Sequence, residues 1–230
     1  MSRNAPSFTD TRRIKQERLL SGIPDSIDVR VYNLVIGGLL LYGFALNALL
    51  VELFSDRLAS MERPWFLVII YFVCCIAGSF LARSTKPLVS FAGYNLIALP
   101  IGLLLAAVLP GFPKSEVMTA IVATAAVTAG MVAVSMLIPD FFAKIGRALF
   151  FSLIIGIVVQ LVAVLLLGYG GNAFNWFFVI LFSLYIGYDW YRAQAYPKTL
   201  DNAIDSAIDL YLDIVNIFLR IIYILNNDRD

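Results

Sequence analysis

The sequence contains no histidine. That excludes His-ligated metal and haem sites, histidine-based catalytic triads and any pH sensor built on imidazole. Its only two cysteines, Cys74 and Cys75, are adjacent in an apolar run, without the spacing of a disulfide framework or a zinc site. Charge is scarce too, at 14% of residues against about 25% in soluble domains. The net charge of +1 marks out no partner. What fills the chain instead is apolar: 60% of its 230 residues, with a mean hydropathy of +0.84. A chain of this length cannot bury that much in one soluble core and keep a charged surface. The excess faces lipid. A soluble enzyme, a nucleic-acid binder and a disordered chain are thereby excluded.

Residues 1–30 are polar and mixed in charge, with Arg3, Arg12, Arg13, Lys15, Arg18 and Arg30 among them. No apolar stretch follows a short basic start, so this reads as a cytoplasmic tail rather than a cleavable signal peptide. Residues 31–225 read as one membrane domain, and 226–230 as a short C-terminal tail. Seven apolar runs lie within it, at 31–54, 64–83, 87–109, 115–138, 147–167, 173–191 and 203–225. Each is about the 20 residues that a helix needs to cross a bilayer. None shows the period-two alternation of a barrel strand. The fold class expected is therefore all-α, a polytopic membrane protein of seven transmembrane helices. Breakers separate the runs, as in Ser84-Thr85-Lys86-Pro87, Pro110-Gly111-Phe112-Pro113, Pro139-Asp140 and Tyr196-Pro197-Lys198. Most Lys and Arg fall on the side of the N-terminal tail: Arg83 and Lys86, Lys144 and Arg147, and Arg192 and Lys198 follow the second, fourth and sixth runs. That bias predicts a cytoplasmic N-terminus.

Ionisable residues at membrane depth are costly, so each one there is a functional candidate. Most gather in the last two runs. Asp189 lies near the end of the sixth. Asp205, Asp209 and Asp213 follow one another at intervals of four in the seventh. At 100° per residue they drift only about 80° around the helix, and Asn216 and Arg220 fall within that arc. The seventh helix thus carries a polar stripe on an otherwise apolar surface, suited to lining a narrow aqueous path from the centre of a bundle. Two readings stay open for Asp205, which could equally sit near the surface at the start of its helix. Asn95 and Gln160 read as hydrogen-bonding groups between helices. Pro100 is expected to kink the third helix. Ala120, Ala123, Ala125, Ala126, Ala129, Gly130 and Ala133 would let the fourth pack closely. Glu52, Asp56, Glu62 and Glu116 read as solvated charges near the outer surface.

Two stretches carry a resemblance. Asp209-Leu-Tyr-Leu-Asp213-Ile-Val-Asn216-Ile-Phe-Leu219 is similar to the C-terminal signature of the Bax inhibitor family, and Ser183-Leu-Tyr-Ile-Gly-Tyr-Asp189 resembles the Tyr-Asp end of its penultimate helix. The resemblance implies two helix triplets around a central seventh helix. It also implies the activity of the family's bacterial members, a pH-sensitive calcium leak. The compact length favours a bacterial plasma (inner) membrane, with an organelle as the other reading. Asp189 and Asp213 then match the family's pH sensor near the cytoplasmic side. An arginine at the end of the second helix pairs with the helix-seven aspartate in one gating state, and Arg83 is its candidate by placement. Arg220 could compete for an aspartate.

Physically, two carboxylates in a partly dry site would share a proton, tie the sixth helix to the seventh and close the path. Loss of that proton would drive them apart. The freed oxygens of Asp189 and Asp213, with an asparagine carbonyl, suit Ca²⁺. Asp205, Asp209 and Asn216 would line the path. No covalently bound cofactor is expected, and the partners expected are lipid, protons and calcium ions. A non-conducting regulator that binds other membrane proteins, such as a protease, is the alternative. An aspartyl intramembrane protease fits poorly, because Leu210, Tyr211 and Leu212 stand where a Gly-x-Gly would precede Asp213. A retinal protein fails, because Lys198 lies in a loop.

Overall fold

The computed structural model describes residues 26–59, 65–82, 84–168 and 171–227. The described residues form seven α-helices: α1 (Val29–Ala59), α2 (Trp65–Ala82), α3 (Pro87–Val108), α4 (Lys114–Leu137), α5 (Pro139–Leu167), α6 (Asn172–Ala195) and α7 (Leu200–Asn227). A 3₁₀ turn, Leu109–Gly111, extends α3. Helix starts and stops follow local chemistry. Pro87 and Pro139 open α3 and α5 at positions where a missing N–H costs nothing. Gly168 ends α5 in the left-handed region, φ +62°, where a side chain would be strained. The Oγ1 of Thr199 accepts the Asn202 N–H at 3.4 Å ahead of α7.

Four of these helices are long and apolar enough to cross a membrane: α1, α3 with its 3₁₀ turn, α4 and α5. α2 contributes a shorter apolar stretch, Phe66–Ala82. Large apolar side chains cover their outer surfaces, among them Leu34, Leu41, Phe72, Phe80, Phe151 and Leu165. A membrane protein follows from this belt, which has no counterpart on soluble folds. α6 and α7 are less apolar, and they hold Asp189, Arg192, Asp205, Asp209, Asp213 and Arg220.

Packing divides the helices around α7. α3 packs against α1 and α2, and α6 against α4 and α5, while α7 contacts α1, α3, α4 and α6. The core lies along α7, where Ala203, Ala207, Tyr211 and Ile217 are fully buried. Close approach at α5–α6 depends on two glycines. A Cβ on Gly187 would strike the Phe142 ring, and one on Gly146 would strike the Tyr188 ring.

Several expectations need correction. Residues 139–146 are helical, so Lys144 and Arg147 belong to α5 rather than to a loop. Ala125, Ala126, Ala129, Gly130 and Ala133 are exposed, so that face of α4 packs against no other described helix. Glu116 is buried rather than solvated, whereas Glu52 and Asp56 are exposed. Pro100 lies within α3, which continues through it. Asn95 accepts a hydrogen bond from the Tyr42 hydroxyl at 2.6 Å, joining α3 to α1 as expected. Glu62 and residues 1–25 lie outside the described residues.

Candidate functional site

α6 and α7 run antiparallel from a short connection, residues 196–199, and this hairpin sets Asp189 against Asp213. Both are buried, at 7% and 6% exposure, and their carboxyl groups lie against one another across the two helices. Two carboxylates offer only acceptors, so a hydrogen bond between them needs a proton on one of the two. The second oxygen of Asp213, Oδ2, is enclosed without a hydrogen-bond partner. Tyr185, one turn before Asp189, lies close to both carboxyls.

Arg192 completes the cluster. Its Nη1 donates to Oδ1 of Asp189 at 3.0 Å and lies 3.6 Å from Oδ2 of Asp209. Its Nε and Nη2 donate to the Tyr196 hydroxyl at 2.9 and 2.6 Å. The guanidinium also lies over the Tyr188 and Tyr196 rings, 5.4 and 5.3 Å from their centroids. The sequence places Arg192 only among the basic residues that follow the sixth run. The signal that could have found it is its i, i+3 spacing from Asp189, which puts both on one helix face. Arg83, the gating partner expected from the resemblance, lies outside the described residues.

The remaining α7 residues face different neighbours. Asp205 is half-buried with Oδ1 enclosed and unbonded, which excludes a simple surface role. Asp209, one turn further along α7, keeps 42% of its side chain exposed. Asn216 donates to the Leu212 carbonyl at 2.8 Å and lines a cavity of about 120 Å³ with Tyr71, Ile101, Leu105 and Leu219. Among the described residues, Arg220 pairs with no aspartate. Its Nη1 and Nη2 donate to Asn175 of α6 at 3.2 Å and Gln160 of α5 at 3.3 Å. Gln160 thus does join helices, as expected.

The mouth of the hairpin is closed by the start of α1. Ser26 pairs with Thr199 in an antiparallel bridge, and the Ile27 N–H donates to the Lys198 carbonyl at 2.7 Å. Tyr32 shares a 3.0 Å hydrogen bond with Ser206. Lys198, a loop charge in the sequence, is only 4% exposed. Its Nζ donates to the Ala193 and Gln194 carbonyls at 2.8 Å each, the last turn of α6, and sits 4.6 Å from the centroid of the Tyr32 ring. Burial pushes its ammonium down to about 8.

Among the described residues, no group of three or more Asp, Glu or Cys side chains is placed to hold a metal ion. Asp189 and Asp213 offer two carboxyls, and Arg192 occupies one of them.

The family model for "Inhibitor of apoptosis-promoting Bax1" matches residues 25–230. The chain belongs to the Bax inhibitor family. The match takes in all seven helices, well beyond the two stretches that carry the resemblance in the sequence. Two uncharacterized proteins from different strains of Helicobacter pylori are each 39% identical to it over 95 residues. Those residues are 38% of this chain and 39% of each relative, so the chain spans about two fifths of the length of the curated relatives it matches. No solved structure matches it. In this member of the Bax inhibitor family, the buried acidic pair therefore comes with an arginine from its own sixth helix.

Proposed function

We propose that this Bax inhibitor family protein is a pH-sensitive cation leak that passes calcium, with all seven helices spanning a bacterial inner membrane and the N-terminus in the cytoplasm. The observation that carries it is the burial of Asp189 and Asp213 against one another across α6 and α7, a placement that favours one shared proton. The groups facing the pair are Arg192, Asp209 and Tyr185. In the closed state the shared proton and Arg192 hold the two helices together. When pH rises, the proton leaves and two negative charges in a confined, low-dielectric site repel. α6 and α7 then part along the polar stripe of α7, with Asp205, Asp209 and Asn216 lining the way. The freed carboxylates would receive a hard cation such as Ca²⁺. No step requires bond chemistry, so the protein acts as a conduit rather than an enzyme.

The test is calcium flux into liposomes holding purified protein, followed from pH 6 to pH 8. Wild type should conduct more at pH 8. Asp213→Asn keeps a neutral hydrogen-bonding partner for Asp189 at every pH, so its flux should lose the pH dependence. A variant that retains the wild-type pH profile would place the gate elsewhere. A wild-type protein that passes no ion at any pH would favour a non-conducting regulator acting through protein partners.

A further inference from the structure

Arg220 is a cation on the same arc of α7 as the acidic residues, seven positions beyond Asp213 and so about 10 Å further along the helix. It is only partly exposed, and among the described residues no carboxylate lies within ion-pairing distance of it. Its hydrogen bonds go to two neutral amides, Asn175 and Gln160, and its guanidinium carbon lies 4.4 Å from the centroid of the Phe178 ring. Amides and a ring face satisfy the donors of a guanidinium, but they do not neutralise it. A positive charge therefore stands in the half of α7 away from the acidic pair. It faces α6, the same neighbour that Asp213 faces.

We propose that Arg220 is the charge barrier of the conduit and sets its preference between ions of different valence. The inference rests on the cation-leak reading above and adds a residue to it. A cation that has left the carboxylates passes the Arg220 charge before reaching the far side. The electrostatic work of that passage is proportional to the charge carried. A divalent ion meets twice the barrier of a monovalent one, so the factor by which Arg220 slows calcium is the square of the factor for potassium. The acidic pair attracts divalent ions and Arg220 limits how fast they leave, which makes the conduit a slow leak rather than a fast channel.

The square relationship supplies the test. Calcium and potassium fluxes are measured in liposomes at pH 8, where the gate is open, for wild type, Arg220→Gln, Arg220→Lys and Gln160→Glu. Arg220→Gln should raise potassium flux about threefold and calcium flux about tenfold. Arg220→Lys keeps the charge and should keep the wild-type ratio of the two. Gln160→Glu neutralises the guanidinium in place and should shift the ratio in the same direction as Arg220→Gln, so the outcome does not hang on the folding of one variant. An equal rise for both ions marks a loosened structure and overturns the proposal, as does an unchanged ratio in Arg220→Gln and Gln160→Glu. Wild type that conducts neither ion overturns the cation-leak reading, and this inference with it.

Discussion

Arg192 bridges Asp189 of its own helix, at 3.0 Å, to Asp209 of α7, at 3.6 Å. One guanidinium thereby ties α6 to α7 beside the buried pair Asp189 and Asp213. Losing it leaves the buried Asp189 without its counter-charge and removes the link to Asp209. On the proposed leak, we expect Arg192→Gln to raise resting calcium flux severalfold at pH 6, the pH at which that proposal has wild type closed. Arg192→Lys should be intermediate, since a compact ammonium cannot reach both carboxylates and the Tyr196 hydroxyl together. Resting flux of Arg192→Gln equal to wild type would show that the bridge has no part in closure.

The Lys198 ammonium sits below its ordinary value because it is buried, at about 8 against about 10.4 in an unfolded chain. The sign follows from linkage. Below pH 8 both states hold the proton and the cost of burying the charge is constant. Between pH 8 and 10.4 the unfolded chain holds the proton more tightly, so stability rises with pH. We expect the stability of wild type relative to Lys198→Met, measured by thermal unfolding in detergent, to grow over this range by up to about 3 kcal/mol. A constant difference between the two proteins would mean that the ammonium is not buried.

The first six helices are legible in the sequence because their apolar runs are long and are followed by Pro or Gly, and the seventh because its apolar residues flank one polar stripe. The misread element is the start of α5. Pro139-Asp140, Lys144 and Arg147 have the composition of a linker, yet Pro is well suited to the first helical position and the charges ride on the helix beyond its apolar part. Asp189 and Asp213 are legible because carboxylates at that depth have few harmless explanations. Arg192 is not, because nothing in composition says which way a side chain at a helix end turns. Lys198 is still less legible. Its burial depends on residues 26–28 folding back over the α6–α7 connection, a pairing between opposite ends of the chain.

Gly187 precedes Asp189 by two residues and lies against Phe142, so it controls how closely α5 approaches the acidic site. Its carbonyl also accepts the Ser135 hydroxyl from α4 at 2.6 Å. A methyl group there has nowhere to go without moving an aromatic ring that is itself fully buried. Gly187→Ala should cost about 1–3 kcal/mol, the usual range for overpacking. The companion change Gly187→Ala with Phe142→Leu should recover part of that loss. A single variant as stable as wild type in detergent would show that the ring moves freely.

Tyr211 is fully buried at the centre of α7, and its hydroxyl accepts the Asn47 side-chain N–H of α1 at 2.6 Å. Asn47 is buried too, and its Oδ1 has no hydrogen-bond partner. Removing the Tyr211 hydroxyl therefore leaves an amide donor enclosed with nothing to bond, which costs more than the bond itself was worth. We expect Tyr211→Phe to lose about 1 kcal/mol in thermal unfolding, in line with polar contacts between membrane helices. Asn47→Leu in the same background should restore stability, because it removes the stranded polar group along with its unbonded oxygen. Additive losses in the double variant, measured as a mutant cycle, would show that the two side chains do not act as a pair.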